Sequence, residues 1–169
     1  MAISMYSASV PVFTRMLGHL AAWLDKAEAH AQAKKFDSSV YLAARLAPDM
    51  LPLPKQIQIA CDAAKFGVAR LAGVEAPKFD DNEASLAELR ERIRKTIEFV
   101  RSVPAAAIEG TEDKDVTVPR RDGNIVLKGE FYLKHYVQPN FYFHVTTAYA
   151  LLRHNGVELG KGDYLGALK

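Results

Sequence analysis

The sequence predicts an all-α protein of four long helices, with a short β-hairpin as its one departure from helix. Three observations carry this reading. Apolar residues recur three and four positions apart along four long stretches, as one face of an amphipathic helix requires. Pro54, Gly73, Pro104 and Gly156 punctuate those stretches where helices begin or stop. Between the third and fourth stretch the apolar period drops from about 3.6 to 2, the change from helix to strand.

The first helix is expected from about Ser4 to Ala31, with Tyr6, Val10, Phe13, Leu17, Leu20 and Leu24 on its inner face and Trp23 in the core. Pro11 either kinks it or marks its true first turn, because proline lacks the donor and crowds the preceding turn. His19 and His30 are read as surface or packing residues. The following segment, broken by Pro48, Pro52 and Pro54, is a connector with a short helix through VYLAARLA, capped by Asp37 or Ser38.

Pro54 suits the first turn of a second helix, and Gly73 suits the left-handed position after its end at Ala72. Its stripe is Ile57, Ala60, Ala64, Val68 and Leu71, with Gln58, Cys61 and Lys65 on an adjoining track. A third helix carries Leu86, Leu89, Ile93, Ile97 and Val100 inward, and ends at Pro104. Its other face is charged: Glu88 with Arg92 and Glu91 with Lys95 are spaced as helical ion pairs, and Arg90, Arg92, Arg94 and Lys95 read as a solvated face. Val116 and Val118, then Ile125 and Leu127, alternate with polar neighbours around Asp122-Gly123, which predicts a hairpin whose exposed edge tolerates Pro119.

The fourth helix spans Gly129 to Gly156 and holds three of the five histidines and four of the seven tyrosines. Leu133, Val137, Phe141, Val145, Ala148, Leu151 and Leu152 form its stripe, and Pro139 predicts a kink near Gln138 to Asn140. The tail VELGKGDYLGALK shows little periodicity and is expected to lie along the body as a strap.

With 169 residues the chain makes one domain, residues 1–169, large enough to bury a core without disulfide or metal. A net charge of +2, from 22 basic and 20 acidic residues, provides no field for nucleic acid. The single cysteine, Cys61, fits a reducing compartment. MAISMYSASVPVF lacks the pattern of a secretory signal, and no apolar run reaches the ~18 residues of a membrane span. A cytoplasmic protein is expected.

The chemistry-bearing residues lie on the fourth helix. Tyr136, Asn140 and His144 are four apart and so share a face bordering the apolar stripe. His135 falls on nearly the opposite side of a straight helix, and His154 lies where it can serve the free carbonyls of the helix end. Cys61 reads as a small buried hydrophobe.

Four long helices, a hairpin before the fourth, and the run HYVQPNFYFHVTTAYALLRHNGVELGKGDYLG resemble the DinB/YfiT-like superfamily over essentially the whole chain, and within it an uncharacterised bacterial family. The resemblance implies a four-helix bundle. Many members of the superfamily bind a divalent metal through three histidines, one on the second helix and two at HxxxH spacing on the fourth, and some are thiol-dependent transferases, hydrolases or isomerases. Here the second histidine of HxxxH matches His144, the first falls on Asn140, and the second-helix position falls at or near Gln58.

Two of the three ligands are therefore replaced, and the metal does not follow from the fold. Three readings of His144 remain: a core histidine in a polar network, a metal ligand, or one wall of a metal-free pocket with Gln58, Tyr136 and Asn140. The expectation is a degenerate site without cofactor that binds either nothing or a small polar ligand between the second and fourth helices. A zinc, nickel or manganese ion, if held, would lie on His144 with Asn140 and Gln58, or with His135 or Tyr136 recruited, in a hydrolase or thiol transferase. Aromatic residues on both sides of the fourth helix predict a homodimer, and a purely structural dimerisation role is the third class.

Overall fold

The computed structural model describes residues 3–167. Helix α1 (Val10–Lys34) starts later than its apolar pattern, because Ser4 to Ser9 form turns and Pro11 sits in the first helical turn. Pro11 thus marks the helix start. Its missing N–H falls among donors that have no intrahelical partner anyway. The connector holds a 3₁₀ helix (Ser38–Ala43) capped by Asp37, whose carboxylate accepts from the Ser39 N–H at 2.8 Å. It ends before the expected continuation through Leu46 and Ala47.

Helix α2 (Leu53–Ala72) has Pro54 in its first turn and closes on Gly73 at φ 73°, where a side chain would be strained. Helix α3 (Leu86–Ser102) is capped by the Ser85 hydroxyl, which accepts from the Glu88 N–H at 3.1 Å. A single turn, α4 (Ala105–Ile108), follows Pro104; its four residues are too few for a periodic signal. Strands β1 (Asp115–Val118) and β2 (Ile125–Lys128) pair antiparallel with Val116 opposite Leu127 and Val118 opposite Ile125. The hairpin is as the alternation predicts.

The long C-terminal helix is built of three consecutive pieces: α5 (Gly129–Phe131), a π-helical segment (Tyr132–Val137) and α6 (Gln138–His154). All seven residues of its predicted stripe are buried. The tail forms a short helix, α7 (Lys161–Leu165), strapped to α1. Tyr164 stacks on Trp23 at 5.5 Å, the Trp23 indole donates to the Asp163 carbonyl at 3.1 Å, and His19 Nδ1 bonds the Tyr164 carbonyl at 3.0 Å. At the other end of α1, His30 Nδ1 meets the Tyr41 hydroxyl at 2.6 Å. Both histidines are packing residues, as their positions suggested.

Four helices close a bundle in the cyclic order α1, α3, α2, α6, with each packed on its two neighbours and α1 and α2 at opposite corners. The core runs along the axis through Phe13, Leu17, Leu20, Ile57, Val68, Leu89, Ile93, Phe141 and Val145, each fully buried. Each such side chain contributes roughly 1.5–3 kcal/mol by leaving water. Among the described residues no helix is long and apolar enough to cross a membrane.

Candidate functional site

Pro139 shapes the site. In a regular α-helix its ring would crowd the carbonyl of His135 and leave that acceptor without a donor. The helix instead widens one turn earlier: the Gln138 N–H bonds the Leu133 carbonyl, five residues back, in the π-helical segment. The expected irregularity is present, but over Tyr132–Val137 rather than at Gln138 to Asn140.

Opposite this widened turn α2 presents Gly67. A Cβ there would lie 2.6 Å from Val137 Cγ1, so the Val137 side chain packs directly on the α2 backbone, where any larger residue would force it to shift. Beside the contact lies a cleft of about 160 Å³ between α2 and the π-helical and α6 segments. Asp62, Phe66 and Arg70 form one wall, Tyr132, Tyr136 and Asn140 the other, and Pro119 of the hairpin reaches its edge.

Two of the four residues selected from sequence, Tyr136 and Asn140, meet in this cleft. The other two do not line it. His144, 9% exposed, bonds through Nδ1 to Gln56 Oε1 at 2.7 Å. The Gln56 amide nitrogen donates to the Leu51 carbonyl at 2.9 Å, which fixes the amide's orientation. Its oxygen therefore faces His144, so Nδ1 carries the proton and donates, leaving the Nε2 lone pair unprotonated. Burial holds the imidazole below its ordinary pKa, which keeps it neutral. Gln56, two residues before the position inferred from counting, is thus the partner across the helices. A sequence signal for it existed: Gln56 continues the row Ala60, Ala64 and Val68 by one step of four.

Gln58 turns to the other side of α2, where its amide donates to Glu83 at 2.7 Å. There it joins a charge network that the sequence did not reveal. Arg92 is 3% exposed and contacts Asp81 at 2.7 Å, Glu83 at 2.9 Å and Asp62 at 3.1 Å. The reading of Arg92 as part of a solvated face, paired with Glu88, is corrected: Glu88 instead accepts from the Ala84 N–H at the helix start. The cause is the loop before α3, whose KFDDNE run folds back over α2 and brings carboxylates to Arg92. Arg94 and Lys95 do stay exposed, and Lys95 meets Glu91 at 3.8 Å.

Lys65, 2% exposed, completes the network at 2.9 Å from Asp62, with its ammonium over the Phe79 and Phe66 rings at 4.4 and 4.5 Å. Desolvation alone would raise the pKa values of Asp81 and Glu83; the hydrogen bonds and charge of Arg92 outweigh it and hold both below the usual carboxylate range. Cys61 is fully buried beside this network, and burial pushes its thiol up to about 12, against smaller lowering by Thr96 and Arg92. It is a core residue, not a nucleophile.

Among the described residues no three His, Cys, Asp or Glu side chains converge as a metal set. Of the three positions that the superfamily pattern singles out, Gln58 is engaged by Glu83, Asn140 lines the cleft and His144 is engaged by Gln56. His135 is exposed, with its ring 4.7 Å from that of Phe131. These side chains as arranged do not fit a shared ion.

The family described as Domain of unknown function (DUF1993) matches residues 5–165. The chain belongs to the DUF1993 family. A crystallised DinB family member protein from Shewanella denitrificans is 48% identical, with a TM-score of 0.91 over 96% of this chain and 92% of that one. No curated protein matches the chain. This DUF1993 chain is therefore a DinB-like domain of unknown function, with the helical bundle that its terminal motif led one to expect.

Proposed function

We propose that this DUF1993 protein binds a small polar molecule in the cleft between α2 and the widened C-terminal helix, without a three-histidine metal centre. One observation carries the reading: Tyr136 and Asn140 bring polar tips that hydrogen-bond to none of the described residues into a cleft whose other wall holds Asp62 and Arg70. Small-ligand sites take this form, apolar walls with a few convergent polar groups. His144 and Gln58 act at one remove, fixing α2 against α6 and against the loop before α3.

A thermal-shift panel of small acids, amines and amides tests it. At least one class should raise the melting temperature of the wild type and leave Asn140→Leu, which keeps the branched outline of the side chain and loses the amide, unmoved. Equal responses from both proteins, or none from either, would contradict the reading.

The exposed strip of Leu46, Tyr142 and Phe143 on and beside α6 supports self-association through that helix. Sedimentation should then show a dimer that Phe143→Glu dissociates; a wild-type monomer would remove this part. A reducing, cytoplasmic setting suits a chain whose single thiol is buried and unpaired.

A further inference from the structure

We infer that the α2/α6 cleft selects a carboxylate, carried on a small planar body of benzoate type, with Arg70 as its anchor. This rests on the cleft reading above and adds the class of ligand. Arg70 is half-buried and held from two sides: one Nη1 N–H donates to the Tyr132 hydroxyl at 3.2 Å, and its guanidinium lies 4.9 Å from the Phe66 ring centre. The Tyr132 hydroxyl in turn donates to the Phe66 carbonyl at 3.1 Å, so its lone pairs are turned to the arginine. The guanidinium is thus pre-oriented, and among the described residues only one of its five N–H groups has a protein acceptor.

Among the described residues no carboxylate pairs with Arg70, nor with Arg120 or Arg121, which border the adjoining hollow at Pro119 and Tyr136. Asp62, the one acid in the cleft, is already matched by Lys65 and Arg92 at 2.9 and 3.1 Å. The cleft therefore offers uncompensated positive charge at one end and a neutralised acid at the other. A single negative charge fits at the Arg70 end.

A planar fork suits a carboxylate in bidentate contact. The cleft's 160 Å³ is comparable to the ~150 Å³ of a cavity that holds one benzene ring, the scale of a small ring acid. Pro119 and Tyr136 supply faces for the ring, and Asn140 offers a hydrogen bond to any ring substituent.

The full chain, labelled with ¹⁵N, is titrated with sodium benzoate, benzyl alcohol and inorganic phosphate. Benzoate should shift amide signals around 66–70 and 132–140 saturably, with benzyl alcohol and phosphate each at least tenfold weaker. Arg70→Lys and Arg70→Gln should both weaken benzoate at least tenfold, with amide spectra elsewhere unchanged. Arg120→Gln should weaken it about twofold and reduce its salt dependence. Equal binding of benzoate and benzyl alcohol, stronger binding of phosphate, or indifference to both Arg70 variants overturns the carboxylate assignment and leaves the cleft standing. No shifts with any probe overturn the assignment, and with an empty thermal-shift panel they overturn the cleft reading as well.

Discussion

Replacing Arg92 by methionine removes the one cation that three carboxylates share, while keeping most of its aliphatic stem. Breaking a fully buried ion pair from one side costs about 3–5 kcal/mol, since the remaining charge is left without compensation. Here the arginine is buried, but its partners differ: Glu83 is 11% exposed, whereas Asp62 and Asp81 are 33% and 40% exposed and regain water readily. Asp62 also keeps Lys65. The loss should therefore sit at the lower end, about 3 kcal/mol. In a domain of this size that lowers the melting temperature by about 6–12 °C.

The assay is urea and thermal unfolding of wild type, Arg92→Met and the double variant Arg92→Met/Glu83→Gln. The double variant should recover part of the loss, because Glu83 is the most enclosed of the three acids. The pH profile adds a signed check. Asp81 and Glu83 have folded pKa values below their unfolded ones, so their stabilising contribution is complete above about pH 5 and is lost as pH falls through the unfolded and then the lowered values. Arg92→Met should flatten that acid limb. A melting temperature within about 2 °C of wild type, with an unchanged acid limb, would refute the view that this network holds the loop before α3.

Further outcomes follow from the same geometry. His144→Ala leaves the buried Gln56 oxygen without a donor and should cost about 2 kcal/mol in urea unfolding. Because burial lowers the His144 pKa, the unfolded chain takes up its proton first as pH falls below about 6.5; wild-type stability should decline there and His144→Gln should remove that decline. Cys61, with its thiol at about 12, should resist iodoacetamide at pH 8 in the folded protein and react fully in urea; native labelling at the rate of a free thiol would contradict its burial.

Much of the bundle is written in apolar spacing, which reports burial directly. The stripe of the fourth helix and the hairpin follow from it, and Gly73 and Pro104 mark where helices stop. The π-helical segment does not, because proline announces an interruption without saying which turn absorbs it. The site was half legible. Tyr136 and Asn140 are one helical turn apart, and that local fact places them together. The partners across the bundle depend on the rotation of α2 about its axis, and a two-residue offset exchanges Gln58 for Gln56. Arg92 and Arg70 were hidden for a related reason: a charged residue reads as solvated until the loop or ring that covers it is known.

The proposed function places a metal-free polar cleft in a DinB-like bundle. Metal analysis of tag-free protein, incubated with zinc, nickel and manganese and then desalted, tests it most directly. The protein should retain well under one equivalent of each metal, with no difference between wild type and His144→Ala. One equivalent in the wild type that is lost in His144→Ala would contradict it.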